Sequence, residues 1–94
     1  MPQNQKPFPR KQLSTGIDGI ERTSEADVII SLNVTELFSS PLGKSVLKYL
    51  RSITIERVNG PSVSTESLRH IEGQRYIVGL LENRIEQGHR SKNK

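Results

Sequence analysis

The chain contains no cysteine and no tryptophan, and only two phenylalanines and two tyrosines in 94 residues. The first absence excludes disulfides as staples and thiolate metal sites with them, and it fits a reducing compartment. Phe8, Phe38, Tyr49 and Tyr76 are too scattered to form a stacking platform for single-stranded nucleic acid. No apolar run approaches the roughly 18 residues of a membrane-crossing helix. The opening residues also lack the apolar stretch of a signal peptide. The expected location is a cytoplasm, or a particle assembled in one.

A single-signed charge pattern is missing as well, although the net charge is +4. Lys6, Arg10 and Lys11 give the first eleven residues +3, and Arg90, Lys92 and Lys94 give the last six +3. Between them, Gln12 to Gly88 carries eight basic and ten acidic residues, a net of −2. A DNA-gripping domain shows a basic stripe along one face. Here the excess sits at the two ends, where it solubilises or makes weak, salt-sensitive contacts with phosphates.

Apolar residues are sparse in residues 1–24, which read as a flexible arm holding Pro2, Pro7 and Pro9. A helical domain is expected over 25–88 and a basic tail over 89–94. That leaves roughly 60–65 residues for a core, fewer than the ~70–80 at which one apolar core is self-sufficient. With disulfides excluded, association with a larger protein or with a second copy is the remaining source of stability.

Within that domain, Glu25 to Leu32 contains the β-branched block Val28-Ile29-Ile30, which fits a strand as well as a helix. Ser24 as a cap, followed by Glu25 and Asp27, favours a short helix. Asn33 and Glu36 have capping-box spacing and mark a second start. Ser40-Pro41 is the clearest start signal, because the serine caps free amides and the proline has no N–H to leave unpaired. From there Leu42, Val46, Leu47, Leu50 and Ile53 form one face of a helix ending near Thr54. Asn59-Gly60-Pro61 stops any continuation. Ser64 caps a longer helix with Leu68, Ile71, Val78, Leu81 and Ile85 on its main stripe. Gly73, Ile77 and Leu80 form a second apolar side, and Gly88 is expected to close the helix. The fold class that follows is all-α: a helical hairpin of two main helices with a short helix before it.

A search for chemistry finds little. His70 and His89 are the only histidines, and no carboxylates stand at ligand spacing, so neither a metal nor a cofactor is expected. No serine lies in a nucleophile elbow. Leu42-Gly43-Lys44-Ser45 ends like a phosphate loop but lacks the earlier glycine and the preceding strand. No catalytic residue emerges, and the chain reads as a non-enzyme. Gly43, Gly73 and Gly79 interrupt helices at about 1 kcal/mol each, which points to close helix approach, with another chain as a candidate partner at Gly73. Arg75 falls on the apolar side between Ile71 and Val78, where it reads as a half-buried structural arginine reaching carbonyls at a helix or loop end.

The stretch Leu37-Phe38-Ser39-Ser40-Pro41-Leu42-Gly43-Lys44-Ser45-Val46-Leu47-Lys48-Tyr49-Leu50, followed by Glu72-Gly73-Gln74-Arg75-Tyr76-Ile77-Val78, resembles a family of small tailed-phage proteins. That family was first catalogued in a Bordetella podophage, and its genes often lie near those for the terminase and portal. The resemblance covers Leu37 to roughly Ile85. It implies a bacteriophage protein of the head, portal or packaging apparatus, in the host cytoplasm or the virion, with no established activity to carry across. It also implies that Phe38, Val46 and Leu50 pack against Ile71 and Val78, and that Gly73 and Arg75 hold fixed structural tasks. Together with Gly43, Leu47 and Leu81, these are the expected helix-contact residues. The expected partner is a phage head, portal or packaging protein, or a second copy. A small DNA-binding or regulatory protein using its basic ends is the alternative.

Overall fold

A computed structural model describes residues 12–93. Expectations for residues 1–11 lie outside that range. Two short strands, β1 (Leu13–Thr15) and β2 (Glu21–Thr23), precede α1 (Ser24–Leu37), α2 (Pro41–Ile53) and α3 (Thr65–Lys92). The protein is therefore mostly helical but not all-α.

The hairpin lies in the segment expected to be a flexible arm. Its strands are antiparallel, with Leu13 opposite Thr23 and Thr15 opposite Glu21. Glycine makes the turn: the Gly19 amide donates to the Gly16 carbonyl at 3.0 Å, and Gly19 has φ of 81°, a left-handed value that costs glycine nothing. The Asp18 carboxylate accepts from the Ile20 amide at 3.1 Å, a local bond that aspartate favours in turns. Three-residue strands are too short for alternation to reveal them, so only the turn glycines announce the hairpin.

Thr23, one residue before the expected Ser24, caps α1 by accepting from the Ala26 amide at 3.2 Å. The helix absorbs Val28-Ile29-Ile30 and continues without a break through Asn33, so the second start expected there does not occur. Packing decides the matter, since Ser31 and Thr35 lie on one buried face spanning the supposed boundary. Ser40 caps α2 by accepting from the Gly43 amide at 3.0 Å. Ser64 caps α3 by accepting from the Ser67 amide at 3.1 Å. Both starts are as the sequence indicates. The end of α3 is not: the helix passes through Gly88 to Lys92, taking His89, Arg90 and Lys92 into its last turn, where cations suit the helix dipole.

The main pairing also differs from expectation. α3 packs chiefly on α1, whereas α2 touches it only sparingly. Ser31 meets Gln87 and Thr35 meets the carbonyls of Arg84 and Ile85. Asp27 and Val28 share a cleft with Arg90 and Ser91. The partners on α3 recede as α1 advances, so the two helices run antiparallel. The buried large apolar side chains are Ile71 and Val78, at 7% and 4% exposure, and the buried polar ones are Ser31, Thr35, Thr54 and Arg84.

Candidate functional site

Close approach between α1 and α3 begins with Gly88. A β-carbon there would lie 1.8 Å from Thr35 Oγ1 and 2.8 Å from the Ser31 carbonyl oxygen, so this glycine is a packing notch and not a stop signal. Thr35 Oγ1 donates to the Ser31 carbonyl at 2.7 Å and sits 3.2 Å from the Ile85 carbonyl. Ser31 Oγ donates to Gln87 Oε1 at 3.1 Å and accepts from Arg84 Nη1 at 3.0 Å. Small hydroxyl residues thus let the backbones approach while satisfying their own polar atoms.

Arg84 is the centre of this contact, with a side chain only 5% exposed. Its Nη1 also donates to the Asp27 carbonyl at 3.1 Å, and its Nη2 donates to Asp27 Oδ1 at 2.9 Å. Asp18 Oδ2 stands 3.4 Å from the same nitrogen. Arg22 joins both carboxylates, donating to Asp27 at 2.7 Å and to Asp18 at 2.9 Å. Two arginines and two aspartates form a neutral network that ties the β1–β2 turn and the starts of β2 and α1 to the C-terminal half of α3. Donation from Arg84, helped by Arg22, lowers the Asp27 carboxyl pKa below its ordinary value. Asp18 is also held well below the usual carboxylate range, first by the hydrogen bond from Arg22 and then by the Ile20 amide. Neither carboxyl carries a proton to give at neutral pH, and arginine does not release one, so this cluster is built to hold elements together.

A third arginine holds the other end of the domain. Arg75 Nε donates to the Thr54 carbonyl at 2.9 Å, and its guanidinium reaches the Arg57 carbonyl and Glu72 Oε1 at 3.0 Å. Those carbonyls lie just past the end of α2, the place the sequence pointed to. Arg51 on α2 completes the junction by pairing with Glu82 of α3. His70 is exposed and contacts Gln74 at 3.2 Å. Among the described residues no three histidine or acidic side chains gather at a metal-holding distance.

The residues expected at helix contacts are divided. Ile71, Val78 and Gly43 are buried, and Phe38, Leu47, Leu50, Arg75 and Leu81 are half-buried. Gly43 is a true close approach, since a β-carbon there would stand 2.2 Å from the Leu37 carbonyl oxygen. Val46 and Gly73 stand on more open surface. Val46 is exposed, and a β-carbon on Gly73 or Gly79 would meet nothing within 4 Å. The reason lies in α2: Gly43, Leu47 and Leu50 take the inward side, so Val46 turns outward with Leu42, Tyr49 and Ile53. Arg84, Asp18, Arg22, Ser31 and Thr35 were not singled out by sequence; Asp27 was read only as an acidic residue of a first helical turn, and Gly88 as a helix stop. The only signal available was the four-residue spacing of Ser31 with Thr35 and of Arg84 with Gly88, which places each pair on one helix face.

The outward side of α2 is the most distinctive surface. Leu42 and Tyr49 are 76% and 61% exposed, and Val46 and Ile53 are also exposed. Beside them lies a groove of about 230 Å³ lined by Leu37, Phe38, Ser40, Leu42, Gly43 and Val46. On α3, Tyr76 and Ile77 are a second exposed apolar pair, next to the open side of Gly73. No helix of the described residues is long and apolar enough to cross a membrane.

Comparison of the chain with protein-family models, with curated proteins and with solved structures finds no match.

Proposed function

We propose that this protein acts without catalysis, by docking through uncovered apolar helix faces onto a component of a phage head, portal or packaging apparatus. The observation that carries the docking is the distribution of apolar surface. Isolated exposed apolar residues are ordinary. Here, however, they are ordered along α2, and again at Tyr76 and Ile77 of α3, while the residues buried where α1 meets the C-terminal half of α3 are Ser31, Thr35, Arg84 and Gly88. Ordered apolar faces of this kind mark interaction sites. The phage setting rests on the resemblance of Leu37–Leu50 and Glu72–Val78 alone.

The test is co-expression of the tagged chain with phage head, portal and packaging proteins, followed by size-exclusion chromatography. Co-elution with one of them that survives raised salt, and is lost in Ile77→Asp, is the expected result. Separate elution from all of them contradicts the phage assignment. Retention on DNA that collapses steeply with salt would instead support the basic-terminus alternative.

A further inference from the structure

We infer that the exposed stripe of α2 is the seam for a second copy of this chain, its own α2 running antiparallel across a two-fold axis. This rests on the docking reading above and names the occupant of one face.

The stripe has the form of a self-complementary seam. Leu42, Val46, Tyr49 and Ile53 follow at spacings of four, three and four, the alternation of the core positions in a coiled coil. Such a strict pattern is narrower than the face a helix needs to sit on a globular core. It is also palindromic: an antiparallel copy sets Leu42 opposite Ile53 and Val46 opposite Tyr49 at both ends. Each level then pairs two aliphatic chains, or a small one with a large one. The groove beside Leu42 faces Ile53 of the second copy. A two-fold interface requires the same patch on both subunits to fit itself.

Charge agrees with this occupant. α2 contains Lys44, Lys48 and Arg51 and no acidic residue, so a seam bringing those cations together would repel. They lie on the side of the helix away from the stripe, and Arg51 is already paired with Glu56 and Glu82. On the outer flank of the stripe stand Ser45 and Ser52, which are small and uncharged, and on the inner flank Gly43 and Leu50. An anionic surface seeking these lysines would meet the opposite side of the helix from the apolar stripe. Covering the four side chains and Leu37 on two copies removes on the order of 1,000 Å² from water, near the ~1,200 Å² lower end of specific interfaces.

The test uses the full chain alone in sedimentation equilibrium across a wide concentration range. The expected result is a monomer–dimer equilibrium based on the 10.6 kDa chain. Val46→Asp is expected to raise the dissociation constant at least about tenfold, equivalent to about 1.4 kcal/mol, with unchanged helix content by circular dichroism. Because the chain has no cysteine, a second experiment fixes the register. Val46→Cys and Tyr49→Cys variants are mixed and oxidised. Disulfides between the two variants, with little linkage within either alone, are the antiparallel outcome, and linkage of Val46→Cys to itself overturns it. A monomer at every concentration overturns the proposal, and so does dimerisation unaffected by Val46→Asp. So too does a monomer that dimerises only when residues 1–11 are removed, or that binds anionic vesicles through this face. The chain can dimerise yet co-elute with no phage protein, or co-elute as a monomer, so failure here is distinct from failure of the docking reading.

Discussion

The α1–α3 contact and the outward side of α2 divide the usual roles of polar and apolar residues the wrong way round. Where α1 meets the C-terminal half of α3 the fully buried residues are serine, threonine, glycine and an arginine, while leucine, valine, tyrosine and isoleucine stand exposed on α2. Helices that approach as closely as Gly88 and Thr35 leave no room for bulky side chains, so backbone distance selects the residues there and hydropathy does not. α2 meets its own body chiefly along Gly43, Leu47 and Leu50, with Arg51 paired to Glu82. Its remaining apolar side is left over, a surface with no use inside one copy of the chain.

Breaking the covered side should have the largest effect. Arg84→Ala removes one of the two arginines that bind Asp27 and Asp18, leaving Arg22 on both, and takes away the Arg84 bonds to Ser31 Oγ and the Asp27 carbonyl. Removing one member of a buried ion pair and stranding the other costs about 3–5 kcal/mol. With Arg22 still on both aspartates the loss should be about 3 kcal/mol, a large fraction of the ~5–15 kcal/mol that holds a domain together, and a thermal melt should show it directly. Gly88→Ala forces a β-carbon onto Thr35, and overpacking of this kind costs about 1–3 kcal/mol. Denaturant titration should give a lower midpoint with an unchanged slope.

Acid tests the same network with a definite sign. Asp27 and Asp18 have lowered pKa values in the folded chain, so they favour folding while ionised. Their contribution is present above the ordinary carboxylate pKa of about 4 and is lost as pH falls below it toward the folded values. The melting temperature of the native chain should fall on that acid limb, and replacing both aspartates by asparagine should flatten it.

The uncovered surfaces should give the smallest effects, and two of these sharpen the contrast. Gly73→Ala fills open space in a helix and should stabilise by about 1 kcal/mol, opposite in sign to Gly88→Ala. Val46→Asp in dilute solution should change stability by no more than about 0.5 kcal/mol.

How much of this was legible in the sequence follows from the range of each cause. Ser40-Pro41 and Ser64 were readable because a cap is a bond between neighbours in sequence. Arg75 was readable because a cation on an apolar helix side, one turn from a loop, has few partners but carbonyls. Gly88 was misread, since a glycine near a helix end looks the same whether it stops the helix or admits Thr35 from a segment some fifty residues away. The Asp18–Arg22–Asp27–Arg84 network joins a turn, a strand and two helices, and no local pattern links them. Val46 was placed on the covered side because periodicity shows that a helix has an apolar face but not how much of that face its own chain can cover.

The most direct test of this contrast is amide hydrogen exchange on the full chain at several protein concentrations. The account predicts slow exchange around Ser31–Thr35 and Arg84–Gly88 that does not depend on concentration, and exchange in α2 that slows as concentration rises. Protection of α2 equal to that of α1 in dilute solution, or early opening of the Thr35–Gly88 contact, would contradict it.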